Sequence, residues 1–323
     1  MENDCPMVTV AFMAYNQEKF IRESLESVLN QKTSFRVQIV IGEDCSTDGT
    51  RQIVQQYANT YSDKIQLVLS EHNLGMKGNL QQMRPFFIGK YIAPLDGGDY
   101  WLDEYKLQKQ VEFLEDHPEF IAVATKMRVI DEKGARVNRH TFSAIYSEKE
   151  TFTIADAQNY IMPGHVNTLL YRNYPRLKDA AYLEKYDICK ANGDSKLTLA
   201  LTLQGDIACV PEEMLCFRLI ESGWTNTVKK KNINIFEYEA MNELTRFAWQ
   251  AFGVKVDYSK AQMRAWFGAC VWMCLHPSVK ALQELKKIYF DGNNQLEKAK
   301  FLIIHIIAWP FRITSKYVLR RRL

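Results

Sequence analysis

The stretch IAPLDGGDYWLDEYKLQKQ, residues 92–110, sets two aspartates, Asp96 and Asp99, around a pair of glycines. Two carboxylates on such a turn suit a hard divalent cation, magnesium or manganese, which keeps waters and open positions for the phosphates of a substrate. Glycines there let the backbone approach a bulky ligand. The same four residues also make an ordinary surface turn, since Asp and Gly are common turn formers. The elements that carry them decide between the two.

Apolar runs at Val8–Met13, Val37–Ile41, Ile65–Leu69 and Tyr91–Leu95 read as buried strands. Between the first three, apolar residues recur at helical spacing: Phe20, Ile21, Leu25, Val28 and Leu29, then Ile53, Val54, Tyr57, Ala58 and Tyr61. Strand, helix, strand, helix, strand at this spacing predicts parallel βαβ units. Ligands of such sheets sit beyond the carboxyl ends of the strands. Those ends carry Tyr15-Asn16, Glu43-Asp44 and Asp96-Gly-Gly-Asp99, so a tyrosine and several acids converge on one rim. A helix over Lys106–Leu114 follows, then strands over Phe120–Thr125 and Met127–Val137, the second bending at Asp131–Gly134. Asn167–Tyr171 reads as a short strand, Asp194 precedes a helical pattern, and Ile207–Val210 reads as another strand. Beyond Trp224 the pattern is helical throughout, at 235–252, 259–275, 277–290 and from 295 onward. A boundary near residue 226 divides an α/β region, 1–225, from a helical C-terminal region, 226–323.

The 323 residues, 47% hydrophobic, suffice for one large domain with an appendage. A net charge of +3 does not by itself indicate nucleic-acid binding. Seven scattered cysteines, none at zinc-knuckle spacing, read as small core residues of a reducing compartment. The opening MENDCPMVTV has neither basic nor hydrophobic leader character, so cytoplasmic residence is the expectation.

Four stretches, VTVAFMAYNQEKFIRESLESVLNQ, VIGEDCSTDGTRQIVQQYA, NLGMKGN and GKYIAPLDGGDYWLDEYKLQKQVEFLEDHPE, occur in an order and at a spacing that resemble the family 2 glycosyltransferases, especially bacterial members that build surface polysaccharides. The resemblance covers about residues 7–225 and implies a GT-A fold: a Rossmann-like mixed sheet flanked by helices. It implies that Tyr15 and Asn16 lie beside a nucleotide base, that Asp44 accepts a hydrogen bond from it, and that Asn73 belongs to the Asn-x-Gly loop of the donor site. Tyr15 could also be a rim aromatic packed on a helix, and Asn73 a plain turn. Glu43 stands where an aspartate is commoner, and Asp48 is expected to cap the next helix. Asp96-Gly-Gly-Asp99 matches the family's metal-binding Asp-x-Asp, with Gly98 in place of the middle acid. The expectation is therefore that Asp99 re-aims to hold the cation, with Asp96 on the metal or the ribose.

NGDSKLTLALTLQG resembles the family's acid pair at a helix start, with Gly193 replacing the first acid and Asp194 as general base. A helix N-cap is the structural alternative for Asp194. His165, in MPGHVNTLLYRN, and Trp224, in RLIESGWTN, are expected near the acceptor, although either residue type also serves structural ends. The Gln-x-x-Arg-Trp motif of processive synthases is absent, which points to single-sugar addition. The expected activity is inverting transfer from a nucleoside-diphosphate sugar, a UDP-sugar first, to a saccharide or lipid-linked acceptor. A degenerate nucleotide-sugar-binding protein is the alternative that Gly98 keeps open. A Rossmann dehydrogenase is disfavoured, because AFMAYNQEKF has no glycine turn.

The tail from Lys298 holds seven Lys or Arg and no acid around an apolar run of eleven residues, Phe301–Phe311. A bilayer span takes about 20 residues. The tail therefore reads either as a basic helix at the inner face of the cytoplasmic membrane or as a helix closing the C-terminal bundle.

Overall fold

The computed structural model describes residues 5–137, 149–174, 179–220 and 233–275. Nine strands join in one sheet: β1 (Val8–Ala14), β2 (Val37–Glu43), β3 (Ile65–Leu69), β4 (Tyr91–Asp96), β5 (Tyr100–Trp101), β6 (Phe120–Asp131), β7 (Thr151–Phe152), β8 (Leu170–Arg172) and β9 (Asp206–Leu219). Their order is β3-β2-β1-β4-β8-β6-β9-β5, with β7 also on β9. The helices are α1 (Ile21–Leu29), α2 (Thr50–Thr60), α3 (Gly75–Met83), α4 (Lys106–Asp116), α5 (Ile154–Gln158), α6 (Ala180–Ile188), α7 (Gly193–Thr202), α8 (Ile233–Phe252) and α9 (Ser259–Leu275).

The first half is parallel throughout: β2 pairs with β1 and β3, and β1 with β4. Because side chains alternate along a strand, each strand feeds two cores. Val8, Val10, Phe12 and Ala14 of β1 bury one way with Ile39, Ile41, Tyr91, Ala93 and Leu95, under α1, α2 and α4. Ala11, Val40 and Ile92 face the other way, into a core shared with α6, α7, α8 and α9. The C-terminal helices thus pack into the same core as the back of the sheet.

β8 runs antiparallel to both β4 and β6, and β6 runs parallel to β9. β6 continues unbroken across the position where two strands are expected. The turn at residues 132–134 then folds the chain back, so that Ile130 bridges Arg136 in antiparallel fashion. The expected strand at Asn167–Tyr171 begins later, at Leu170, because residues 166–168 form a single 3-10 turn started by His165. β9 is much longer than the expected Ile207–Val210, and its far end reaches the Asp96–Asp99 turn.

Among the described residues, no helix is long and apolar enough to cross a membrane. The expected helices beyond residue 276, the basic tail and Trp224 lie outside the described residues.

Candidate active site

Parallel pairing places the ends of β1, β2 and β4 along one edge, with Ala14 level with Glu43 and Met13 level with Asp96. Tyr15 stands on this rim 43% exposed. Asn16 adopts a left-handed φ of 51° and ties its loop to the next one: its amide oxygen accepts from Thr47 N–H at 2.8 Å, and its own N–H donates to Ser46 Oγ at 3.0 Å. Asn tolerates that conformation better than most residues. Glu43 is fully buried, accepting from Ser46 N–H and pairing with Arg51, which also donates to the Ser70 carbonyl. Asp44, also buried, accepts from Leu74 N–H at 2.7 Å and so holds the Asn73 loop against the rim. Asn73 closes its own turn onto Gly75 N–H at 3.0 Å. Asp48 accepts from Thr50 N–H and Glu18 N–H; these bonds hold its carboxyl below the usual range although partial burial pulls upward.

The Asp96–Asp99 turn is packed more tightly than a solvent turn. A Cβ on Gly97 would lie 2.5 Å from Gln17 Oε1 and 2.7 Å from Ile21 Cδ1, and one on Gly98 would meet Ile220 Cδ1 at 3.0 Å. Close approach of α1 and the end of β9, with no positive φ at either position, accounts for both glycines. Asp99 is 4% exposed, with Oδ1 accepting from Arg218 N–H at 2.9 Å and Oδ2 from the Asn167 amide at 2.7 Å. Each oxygen thus accepts one hydrogen bond, which ties the turn to β9 through Arg218 and to Asn167. Burial, and next the Asp96 charge, push the Asp99 carboxyl up to about 8.

Asp96 differs. Only its Oδ2 is engaged, at 3.2 Å by the same Asn167 amide, and the residue is half-buried at the rim. Its pKa is raised by burial and by the Asp194 charge, against the pull of His165 and Asn167. Arg218, 7% exposed, clamps the turn from behind: Nε donates to the Gly98 carbonyl, Nη2 pairs with Glu23, and the guanidinium lies 4.5 Å from the Phe20 ring centre.

Asp194 sits in the first turn of α7, but Asn192 is the cap, its Oδ1 accepting from Ser195 N–H at 2.7 Å. Relieved of that job, the half-buried Asp194 carboxylate is held by burial alone at a pKa of about 6. A Cβ on Gly193 would meet nothing closer than Met76 Sδ, at 3.9 Å. His165 packs on Phe217, its ring centre 4.7 Å away, and Nδ1 accepts from Asn167 N–H at 3.3 Å, which leaves Nε2–H as donor in the neutral ring. Burial lowers its pKa, opposed by Asp96.

Asp96 thus feels the charges of both His165 and Asp194, and Asn167 joins it to Asp99, while Tyr15, Asn16 and Asp44 follow the ends of β1 and β2, Asp44 holding the Asn73 loop. Asn167 and Arg218 are the residues that sequence reasoning passed over. Both lie in stretches of interest, but Asn167 read as the start of a strand, and nothing in RLIESGWTN indicates that its arginine turns inward. Among the described residues, no three His, Cys, Asp or Glu side chains form an all-protein metal cage.

Comparison with known proteins agrees with this geometry. The family model described as Glycosyl transferase family 2 matches residues 9–173. The protein Rv1520 of Mycobacterium tuberculosis is 33% identical over 215 residues, covering 65% of this chain and 58% of that one; this chain thus spans less than two thirds of that relative's length. TuaG of Bacillus subtilis, named for teichuronic acid biosynthesis, is 38% identical over 114 residues, 35% of this chain and 44% of TuaG. Among solved structures, S. aureus TarS 1–349 in complex with UDP-GlcNAc superposes with a TM-score of 0.63 at 20% identity, over 87% of this chain and 79% of that one, and shares the fold. With four sequence motifs on one rim of a mixed sheet and a family match across half its length, the chain belongs to glycosyl transferase family 2.

Proposed function

We propose that this chain is an inverting glycosyltransferase that moves one sugar from a nucleoside diphosphate, UDP first, to a saccharide or lipid-linked saccharide of a surface polysaccharide. The observation that carries the reading is that two carboxylates from different elements lie within reach of each other's charge. Asp96 closes β4, Asp194 opens α7, and the Asp194 charge is near enough to raise the Asp96 carboxyl. Direct displacement at an anomeric carbon takes a base on the acceptor side and a charge-tolerant seat for the departing diphosphate on the other. Asp194, uncommitted to capping and with a pKa of about 6, is ionised at neutral pH and more basic than an ordinary aspartate. It takes the proton of the attacking hydroxyl as the new bond forms.

Tyr15 stacks on the base, Asp44 accepts a hydrogen bond from it, and Asn16 and Asn73 hold the loops that flank it. His165 offers Nε2–H to a sugar hydroxyl. Trp224 keeps its expected place beside the acceptor on sequence grounds alone. A divalent cation, magnesium or manganese, fits the donor set, with one unengaged oxygen on Asp96 and the rest from diphosphate and water. Asp96 would hold it and Asp99 would not, and when bound it offsets charge developing on the leaving diphosphate. The names of TuaG and of the TarS complex favour a UDP-sugar donor and a surface-polymer acceptor. The basic tail favours work at the inner face of the cytoplasmic membrane.

A second reading, a nucleotide-sugar-binding protein without transfer, draws on Gly98, which by the sequence resemblance replaces the middle acid of the metal-binding motif. Screening UDP-, GDP- and dTDP-sugars with manganese, by thermal shift and by slow hydrolysis, separates the two. Stabilisation with turnover supports the transferase, stabilisation without turnover supports the binding protein, and no stabilisation by any nucleotide sinks both.

A further inference from the structure

Tyr160 ends α5 in a conformation that its residue type disfavours. Its N–H donates to the Ala157 carbonyl at 2.8 Å and Ile161 N–H reaches back to the Asp156 carbonyl at 3.2 Å, the paired bonds of a Schellman ending. The left-handed residue of that motif is normally glycine, because a Cβ is crowded there; here it is a tyrosine at φ 54°. Its ring packs edge-on against Tyr258, the centres 6.4 Å apart. Its hydroxyl is buried and, among the described residues, meets no partner at full hydrogen-bond geometry, although it lies within polar reach of Ser195 and Asn192. Phenylalanine would avoid the cost of the buried hydroxyl, and glycine would avoid the strained backbone.

The surroundings suggest what the residue is for. The hydroxyl faces Asn192 and Ser195, the cap and the third residue of α7, and feels the charges of Glu237 and of Asp194, which lies between them in sequence. α5 and α7 are packed together, and Arg264 of α9 secures the turn by donating to the Asn159 carbonyl at 2.6 Å. We propose that Tyr160 is a positioning residue for the base: its hydroxyl steers the first turn of α7 and with it the Asp194 carboxylate. The inference rests on Asp194 being the base and adds the residue that aims it. Strain kept beside a reacting group is the pattern expected of a residue retained for function.

The test uses the full chain with manganese and UDP-N-acetylglucosamine, following UDP release with water as acceptor, UDP affinity by calorimetry, and melting temperature. Tyr160→Phe should lower kcat about tenfold, as misaiming a catalytic group does, while KM and UDP affinity stay within about twofold and the melting temperature holds or rises. Tyr160→Gly, which suits the backbone, should lose at least as much kcat and still bind UDP. Wild-type kcat in either variant overturns the proposal. A Phe variant that melts lower and binds UDP poorly overturns it too, because the hydroxyl would then be structural. Asp194→Asn in the same assay separates the two ideas: undiminished turnover removes the base itself, whereas an inactive Asn variant beside a normal Phe variant removes only the role of Tyr160.

Discussion

Replacing Asp194 by Asn should abolish transfer and make the protein more stable, a combination that a structural aspartate would not produce. Burial alone carries the Asp194 carboxyl from an ordinary 3.8 to about 6. A displacement of about two pH units corresponds to roughly 3 kcal/mol between protonation states, and partial solvent access at the pocket mouth trims that to about 1–3 kcal/mol. For an acid whose pKa is raised by folding, the native state holds its proton while the unfolded chain has already released it. Stability contributed by the neutral form is therefore complete below about pH 4 and is lost as pH rises toward 6. Asparagine carries no charge at any pH, so Asp194→Asn should gain about 1–3 kcal/mol at pH 7.5 and almost nothing near pH 4. Urea unfolding of both proteins across that range gives the numbers. Donor binding should persist in the variant, and wild-type kcat should rise with pH through about 6 as the base ionises. A variant no more stable at pH 7.5 than at pH 4, or one that still transfers sugar, would refute the reasoning.

Asp96→Ala should remove manganese-dependent UDP binding in calorimetry while leaving the fold intact. Asp99→Ala should instead lower the melting temperature, since it strips a partner from both Arg218 N–H and the Asn167 amide; loss of metal binding in Asp99→Ala with unchanged melting would return the ligand role to Asp99. Lys106 is fully buried, bonded to Gln110 and 4.7 Å from the Trp101 ring centre, and burial lowers its pKa to about 7. Between that value and 10.5 the unfolded chain holds the extra proton, so stability rises with pH there, and Lys106→Met should raise the melting temperature at pH 7 more than at pH 10. Flotation with anionic liposomes should carry the full chain upward and leave a chain without residues 298–323 behind; equal flotation would free the tail from any membrane role.

Much of this architecture is legible in the residues themselves. β1–β4 with α1 and α2 announce their own period, because a strand buried on both faces is continuously apolar and each helix carries one apolar stripe. The convergence of Tyr15, Asp44 and Asp96 follows from parallel topology once those strands are recognised. The second half was harder to read. β9 spans 14 residues and includes Pro211, Glu212 and Glu213, which no strand pattern accommodates; its far half is strand because β6 and β5 lie beside it. The 3-10 turn at residues 166–168 likewise hides Asn167, whose polar side chain is buried only because two carboxylates await its amide.

What the chain alone determined is therefore the inventory: the strands, the helices, the rim, and an aspartate at the head of α7. Only the tertiary structure shows which donors meet each of the two turn aspartates. Arg218 comes from more than a hundred residues downstream to meet one oxygen of Asp99, and Asn167 meets the other together with one oxygen of Asp96. Spacing along a chain says which groups share a turn. Which of them remains uncommitted depends on the donors that distant segments bring, because a buried carboxylate is stable only when its oxygens are matched by hydrogen-bond donors.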